Sequence, residues 1–205
     1  MEPGRRLAIA EYDTTLRDGT PVIVRRVVPG DKDLIREGFA RLSPETRLRR
    51  FLAPIAELSE EELRHLTEVD QVNHVAWIAV LRDQPGSAIG IGRFVRVPDE
   101  PEVAEAAITV GDEFQGRGLG TLLLALLAAA ARVAGITSFR AWVLEENAPM
   151  RELLEDVGAR VWHEWPGTLR VEVPLDPEDL PDSPASGVLR AVAASLGIDS
   201  AREPS

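Results

Sequence analysis

One stretch constrains the fold more than any other: Gln115-Gly116-Arg117-Gly118-Leu119-Gly120-Thr121 runs straight into an uninterrupted apolar segment, Leu122 to Ala131. That segment is too short to span a bilayer and is bounded by Thr121 and Arg132, so it reads as a helix buried in a core. We place the helix over Gly118 to Ala134, directly after a strand. Three glycines in five positions let the backbone turn tightly and approach a ligand closely. The helix behind them presents unpaired N–H groups and the positive end of its dipole, which together suit an anionic pyrophosphate. Arg117 can add a charge-assisted contact. A tight turn before a helix accounts for the glycines equally well on its own. The segment is not a Walker motif, because no Gly-Lys-Ser/Thr follows. Nor does it match a dinucleotide-binding fingerprint, since the strands ahead of it read as a hairpin meander rather than the opening of a parallel βαβ unit.

The rest of the chain supplies a sheet. Val22 to Val28 is rich in β-branched residues and reads as a strand. Asp18-Gly19 ahead of it is a turn signal for a short hairpin. Pro29-Gly30-Asp31 is a turn from which Asp31 can cap a helix starting near Lys32, with Leu34, Ile35, Gly38, Phe39 and Leu42 at helical spacing. Ser43-Pro44 opens a second helix. A third begins after Ser59, with Glu60, Glu61 and Glu62 at the positive end of its dipole. Strands follow over His74 to Leu81 and Ser87 to Val97, joined by a turn at Asp83-Gln84-Pro85-Gly86, and then over Val103 to Val110. Beyond the long helix come a strand (Ser138 to Leu144) and a helix (Ala148 to Val157, stopped by Gly158). Two further strands, Arg160 to Trp165 and Leu169 to Pro174, flank Pro166-Gly167. The expected fold is α/β (α+β): a mixed, mainly antiparallel sheet flanked by helices, in a single domain. Residues 1–19 read as an N-terminal extension, 20–175 as the domain, and 176–205 as a linker with a short C-terminal helix. The stripe Val188, Leu189, Val192 and Leu196 on that helix docks on the body or on a partner, or frays.

Composition narrows the function classes. A net charge of −11 argues against nucleic acid, which needs clustered Lys and Arg. It suits a cationic partner such as a lysine-rich protein surface or a polyamine, although acidity also serves solubility. The absence of cysteine excludes disulfides, thiolate metal sites and a cysteine nucleophile. Three scattered histidines give no ligand spacing, so no metal is expected. Arg5 and Arg6 are not followed by the apolar run of a secretory signal, and no membrane segment is read, which makes the cytoplasm the expected location.

Gln115-x-x-Gly118-x-Gly120 resembles the Gln/Arg-x-x-Gly-x-Gly/Ala signature of the GNAT N-acetyltransferase superfamily. The resemblance continues through the helix, the strand leading to Glu145-Glu146, and Asn147-Ala148-Pro149-Met150 to Gly158, with Ala159 where the family usually has Phe. It spans about residues 20–175 and is most specific over 103–158. It implies a GNAT-like sheet and acetyl-CoA as cosubstrate. Ile108, Thr109 and Val110 would then lend strand backbone to the pantetheine and thioester. Gln115, Gly116, Arg117, Gly118, Leu119, Gly120 and Thr121 would hold the pyrophosphate, and Asn147 would touch the CoA arm. Leu42-Ser43-Pro44-Glu45-Thr46-Arg47, Arg50-Phe51, Leu66-Thr67-Glu68-Val69-Asp70 and His74-Val75-Ala76 are similar to a narrower group, the bacterial protein lysine acetyltransferases, some of which act on acyl-CoA synthetases. Actinobacterial members carry a fused cyclic-nucleotide-binding domain that gates activity. The length here leaves no room for one, so no such control is expected.

The implied chemistry is attack of an amine on a thioester. A lysine with a pKa of about 10.4 is neutral in only about one molecule in 10³ at neutral pH. A carboxylate that accepts the proton helps by roughly 10²–10⁴-fold. Glu105 is the candidate base. It lies in the strand Val103 to Val110 among small apolar residues, where partial desolvation is expected to raise its pKa. It also stands ten residues before Gln115, where the resemblance puts the glutamate base. A solvated residue at a strand start is the alternative reading of Glu105, and Asp112 and Glu113 are the other nearby carboxylates. His74 is a second base or an orienter, or a structural group. Many family members use a tyrosine to protonate the leaving thiolate; Leu154 stands at that position and the only tyrosine is Tyr12. No covalent enzyme intermediate is expected, and backbone N–H groups of Ile108 to Val110 would polarise the acyl oxygen in a ternary complex. Core packing accounts for Trp77 and Trp142, while Trp162 and Trp165 fall on a late strand, where the resemblance places acceptor pockets or dimer contacts and where core or edge packing is the better account. The acceptor expected is a protein lysine, with a small amine or a non-catalytic acyl-CoA sensor as alternatives, in a monomer or homodimer.

Overall fold

The computed structural model describes residues 6–198. A central strand, β3 (His74–Leu81), explains the sheet around it. Val75, Trp77 and Ala79 pack on one face and Ala76 and Ile78 on the other, so a nearly continuous apolar run is buried on both sides. The remaining strands are β1 (Glu11–Thr15), β2 (Pro21–Arg26), β4 (Gln84–Val97), β5 (Glu100–Val110), β6 (Ser138–Leu144), β7 (Arg160–Trp165) and β8 (Thr168–Pro174). They form one eight-stranded sheet in the order β1-β2-β3-β4-β5-β6-β8-β7. Every neighbouring pair is antiparallel except β5 and β6. The mixed, mainly antiparallel sheet flanked by helices is therefore as the sequence suggests.

Helices cover both faces. α1 (Lys32–Ala40), α2 (Pro44–Phe51) and α3 (Glu60–Thr67) lie on one side, where Ile35, Phe39, Leu63 and Leu66 meet Ala76 and Ile78. α4 (Leu119–Val133) lies on the other and crosses from β5 to β6, as a parallel pair requires. Its residues Leu122 to Ala131 are all buried, which an amphipathic surface helix never shows. The outer face is covered by α6 (Pro184–Ser195), whose Ala185, Leu189 and Val192 are buried in the same core. α5 (Ala148–Asp156) links β6 to β7. The segments set apart as 1–19 and 176–205 thus contribute the edge strand β1 and the covering helix α6. No helix among the described residues is long and apolar enough to cross a membrane.

Local chemistry explains the boundaries. Ser43 Oγ accepts from Thr46 N at 3.1 Å to open α2. Ser59 Oγ accepts from Glu62 N at 3.2 Å while Glu62 accepts from Ser59 N at 2.7 Å, a capping box that opens α3. Two details differ from the sequence reading. Asp31 stands at the N-cap of α1 but its side chain makes no cap; the carboxylate accepts instead from both terminal nitrogens of Arg25, at 2.7 and 2.8 Å, and from Val28 N. The β3–β4 turn is Arg82-Asp83, and pairing jumps from Leu81↔Gln84 to Val80↔Ala88. Pro85 and Gly86 are therefore part of a bulge after the turn, where the missing proline N–H is tolerated.

Candidate active site

The site begins where the sheet comes apart. β5 and β6 pair only across Val103–Glu105 and Ser138–Arg140. Past that point the strands diverge, and a cleft of about 210 Å³ opens between them. Ala106 to Val110 line one side and Ala141 to Val143 the other, with Leu124 of α4, Met150, Leu153 and Leu154 of α5, and Thr46, Arg49 and Arg50 of α2 completing the wall. Beyond Glu105, β5 keeps its partner β4 but has none on the β6 side. Its backbone polar groups there face the cleft without a strand to satisfy them.

The glycine-rich turn sits at one end of this cleft. Gly116 has φ +73° and Gly118 φ +89°, both left-handed conformations that strain any other L-residue. Gly118 is the N-cap of α4 and makes no side-chain cap, so the first-turn N–H groups meet no capping oxygen. Such a helix start binds anions. Of the residues expected to hold a cofactor, Ile108, Thr109, Val110, Gln115, Gly116, Gly120 and Asn147 line the cleft. Leu119 and Thr121 turn their side chains into the core. Arg117 is ion-paired with Asp18 at 2.8 Å and lies over the Phe114 ring. Asn147 Oδ1 caps α5 by accepting from Met150 N at 3.4 Å. The Gln115 side chain donates to Val110 O and Thr46 Oγ1, each at 3.2 Å. Asp112, beside it, accepts from Ser43 N and Oγ and from Thr46 Oγ1 at 2.7–2.9 Å. Gln115 and Asp112 therefore tie the turn to the N-terminus of α2, and the ligand-facing groups that remain are backbone.

A second cavity, about 640 Å³, opens on the other face of the fork and meets the cleft at Arg50, Ala106, Ala107 and Trp142. Glu105 lines this mouth, with Glu61, Glu62, His65 and Arg93 around it. The carboxylate is exposed, contrary to the desolvation expected from its small apolar neighbours. Strand alternation is the reason: Ala104 and Ala106 pack toward α4, which leaves Glu105 on the opposite face, where the mouth is open. Trp142 is also not a core residue; partly buried, it lines both cavities. A third cavity of about 450 Å³, largely apolar, lies between α1–α3 and β4 and shares Arg50, Arg93 and Ala107 with the mouth.

His74 lines none of these three cavities. Arg93 Nη2 donates to His74 Nε2 at 2.6 Å and to His65 Nε2 at 2.8 Å, and the two imidazoles lie 5.1 Å apart. Burial, then the charge of Arg93, pushes His74 down to about 4. The same two causes lower His65. Both rings are neutral at pH 7 and hold Arg93 in place. Sequence reasoning missed Arg93, Arg49, Arg50 and Trp142. The basic cluster Arg47, Arg49 and Arg50 in an otherwise acidic chain was the one available signal for the α2 pair.

Residues 41–159 match the model of the acetyltransferase (GNAT) family. The chain is similar to acetyltransferase Pat of Mycolicibacterium smegmatis, with 36% identity over 178 residues covering 85% of this chain and 53% of Pat. It is also 33% identical over 140 residues to acetyltransferase PA5475 of Pseudomonas aeruginosa, covering 68% of this chain and 75% of that protein. Among solved structures, the GNAT domain of S. lividans PAT matches with a TM-score of 0.76 and 31% identity, over 83% of this chain and 99% of that domain. The chain spans about half the length of the Mycolicibacterium protein.

Proposed function

The chain belongs to the GNAT acetyltransferase family, and from that premise we propose that it transfers an acetyl group from acetyl-CoA to a lysine side chain of a protein. One observation carries the reading. The cleft at the β5–β6 fork and the mouth that holds Glu105 meet at Ala106 and Ala107, so a donor in one and an amine in the other would come together there.

The residues present fit acetyl-CoA. Two left-handed glycines and the free first-turn N–H groups of α4 suit its pyrophosphate, while the unpaired edge of β5 at Ile108, Thr109 and Val110 suits the pantetheine. Asn147 lies in the same wall. When bound, acetyl-CoA supplies the acetyl group as a thioester activated toward amines. The chain's own part is to orient and to move a proton. Backbone N–H groups of β5 orient the acyl oxygen, and the Glu105 carboxylate takes the proton from the acceptor amine, directly or through water. His74 acts through Arg93 as a positioning residue. Leu154 puts no hydroxyl into the cleft, so the leaving thiolate takes its proton from water. A protein lysine is favoured over a small amine by the sequence resemblance at Leu42 to Phe51 and Leu66 to Ala76, and the mouth that would receive it has a volume of about 640 Å³. Residues 20–175 hold the site, with the described flanking residues 6–19 and 176–198 packed on it.

The test is thiol release from acetyl-CoA with a lysine-bearing acyl-CoA synthetase, a polyamine and buffer alone in parallel. Release with the synthetase, mapped to one lysine, supports the proposal; release with the polyamine alone moves it to small amines. Glu105→Gln is expected to cut turnover by roughly 10²-fold or more at unchanged acetyl-CoA affinity. Unchanged turnover removes Glu105 as the base. Acetyl-CoA binding without release to any acceptor favours a non-catalytic sensor.

A further inference from the structure

Where cleft and mouth meet, two guanidinium groups stand without a carboxylate. Arg50, at the C-terminal end of α2, lines the cleft, the mouth and the apolar cavity; Arg93, on β4, lines the mouth and that cavity. The ion pairs among the described residues all involve other cations, although the chain carries a net charge of −11. Arg93 is buried, and its side-chain hydrogen bonds go to two neutral imidazoles. Burial, then repulsion from Arg50, pushes Arg93 down to about 10, and burial lowers Arg50 as well. The nearby carboxylates do not answer this charge. Glu62 is engaged in its capping box with Ser59, and Glu61 and Glu105 are exposed and make no ion pair with either guanidinium. An unanswered buried charge is unfavourable, and groups held that way cluster at ligand sites.

We propose that Arg50 and Arg93 bind a carboxylate carried by the amine acceptor, so that the preferred acceptor presents an acidic group beside the amine it acetylates. This rests on the acetyl-transfer reading above. The carboxylate belongs to the acceptor rather than to the acyl chain, because Arg93 opens on the mouth and not on the cleft. Guanidinium forks match a carboxylate bidentately. Two sources carry this chemistry: an acidic side chain near a protein lysine, or the α-carboxylate of an amino acid. On an extended peptide, residues two apart share a face and lie about 6.4–6.8 Å apart. A Glu two positions from the lysine would therefore enter the mouth with it.

Initial rates with two substrate pairs separate the sources. One pair is a lysine peptide with Glu or Gln two residues away; the other is Nα-acetyl-lysine and Nα-acetyl-lysinamide, each with a free ε-amine. The wild type is expected to favour the carboxylate member of at least one pair by about ten- to a hundredfold in kcat/KM, the range for a charge-assisted hydrogen bond. Arg50→Gln should bring that ratio near one and Arg50→Lys should keep part of it. The ratio is its own control, since both members meet the same enzyme. Binding of glutarate in the presence of CoA, followed by calorimetry, reads the pair without turnover: Arg50→Gln should weaken it at least tenfold. Equal rates within both pairs, or a preference that survives Arg50→Gln, overturns the proposal. If no amine is acetylated, the acetyl-transfer reading fails, and glutarate then decides alone: Arg50-dependent binding supports the pair, and its absence overturns it.

Discussion

Replacing Gly92 with alanine tests how the seat of α4 controls the site. Gly92 pairs with Ile108 across the β4–β5 ladder and faces α4. A Cβ there would stand 3.0 Å from Leu127 Cδ1 and 3.4 Å from Leu123 Cβ, inside the roughly 3.5–4.0 Å of a comfortable carbon contact. Leu123 and Leu127 are fully buried, so neither side chain has open space to turn into. The helix must retreat by a few tenths of an ångström or Leu127 must leave its rotamer. Overpacking of this kind destabilises by about 1–3 kcal/mol, while removing a glycine from a strand returns about 0.5–1 kcal/mol. The net is a loss of up to about 2.5 kcal/mol, centred on about 1 kcal/mol, which corresponds to about 2–4 °C in Tm for a domain of this size. Because the same helix presents the first-turn N–H groups to the cleft, acetyl-CoA affinity should fall severalfold in parallel. Thermal melting by circular dichroism and calorimetric titration of acetyl-CoA read the two effects. Leu127→Ala in the same chain should relieve part of the Gly92→Ala penalty, as a coupling in a double-mutant cycle. A Gly92→Ala protein that melts at or above the wild type with unchanged affinity would refute the argument that this glycine sets the helix position.

Two other outcomes follow from local interactions. His74, held near 4 by burial, Arg93 and His65 against the opposing pull of Asp70, has a folded pKa below the ordinary 6.5. The unfolded chain therefore binds more protons between those values, and stability, full above about pH 6.5, should fall toward pH 4 by at most about 3 kcal/mol, less for residual solvent contact. Urea midpoints against pH should show that slope flattened in His74→Gln; an unchanged slope assigns the acid sensitivity elsewhere. Ser59→Ala removes the capping box of α3 and should destabilise by about 1 kcal/mol, read from the same midpoints at pH 7.

The fold was legible where short runs rich in β-branched and aromatic residues mark a strand. β3, β6 and β7 begin and end where the residue pattern puts them. The β3–β4 turn was not, because Pro85-Gly86 is the strongest turn signal in that stretch yet lies in a bulge beyond a turn made by Arg82-Asp83, residues with no such signal. At the site, the glycines of the turn announce themselves, since a left-handed backbone needs them locally. For Glu105 the sequence left two readings, desolvated among Ala104, Ala106 and Ala107 or solvated near a strand start; the carboxylate is exposed because strand alternation puts it on the face away from α4, where the mouth is open. Arg50, Arg93 and the two histidines come from α2, β4, α3 and β3. Their meeting depends on long-range packing that no spacing along the chain records.

Asp112 and Gln115 fasten the glycine turn to Ser43 and Thr46 at the head of α2, and the far end of α2 carries Arg50 into the acceptor mouth. The loop that would grip the donor and the wall that would receive the acceptor are thus one mechanical piece. Anything that settles the turn also settles that wall. In kinetic terms, a donor whose nucleotide end settles that turn would also set the wall before an acceptor arrives, so the tie favours addition with the donor first.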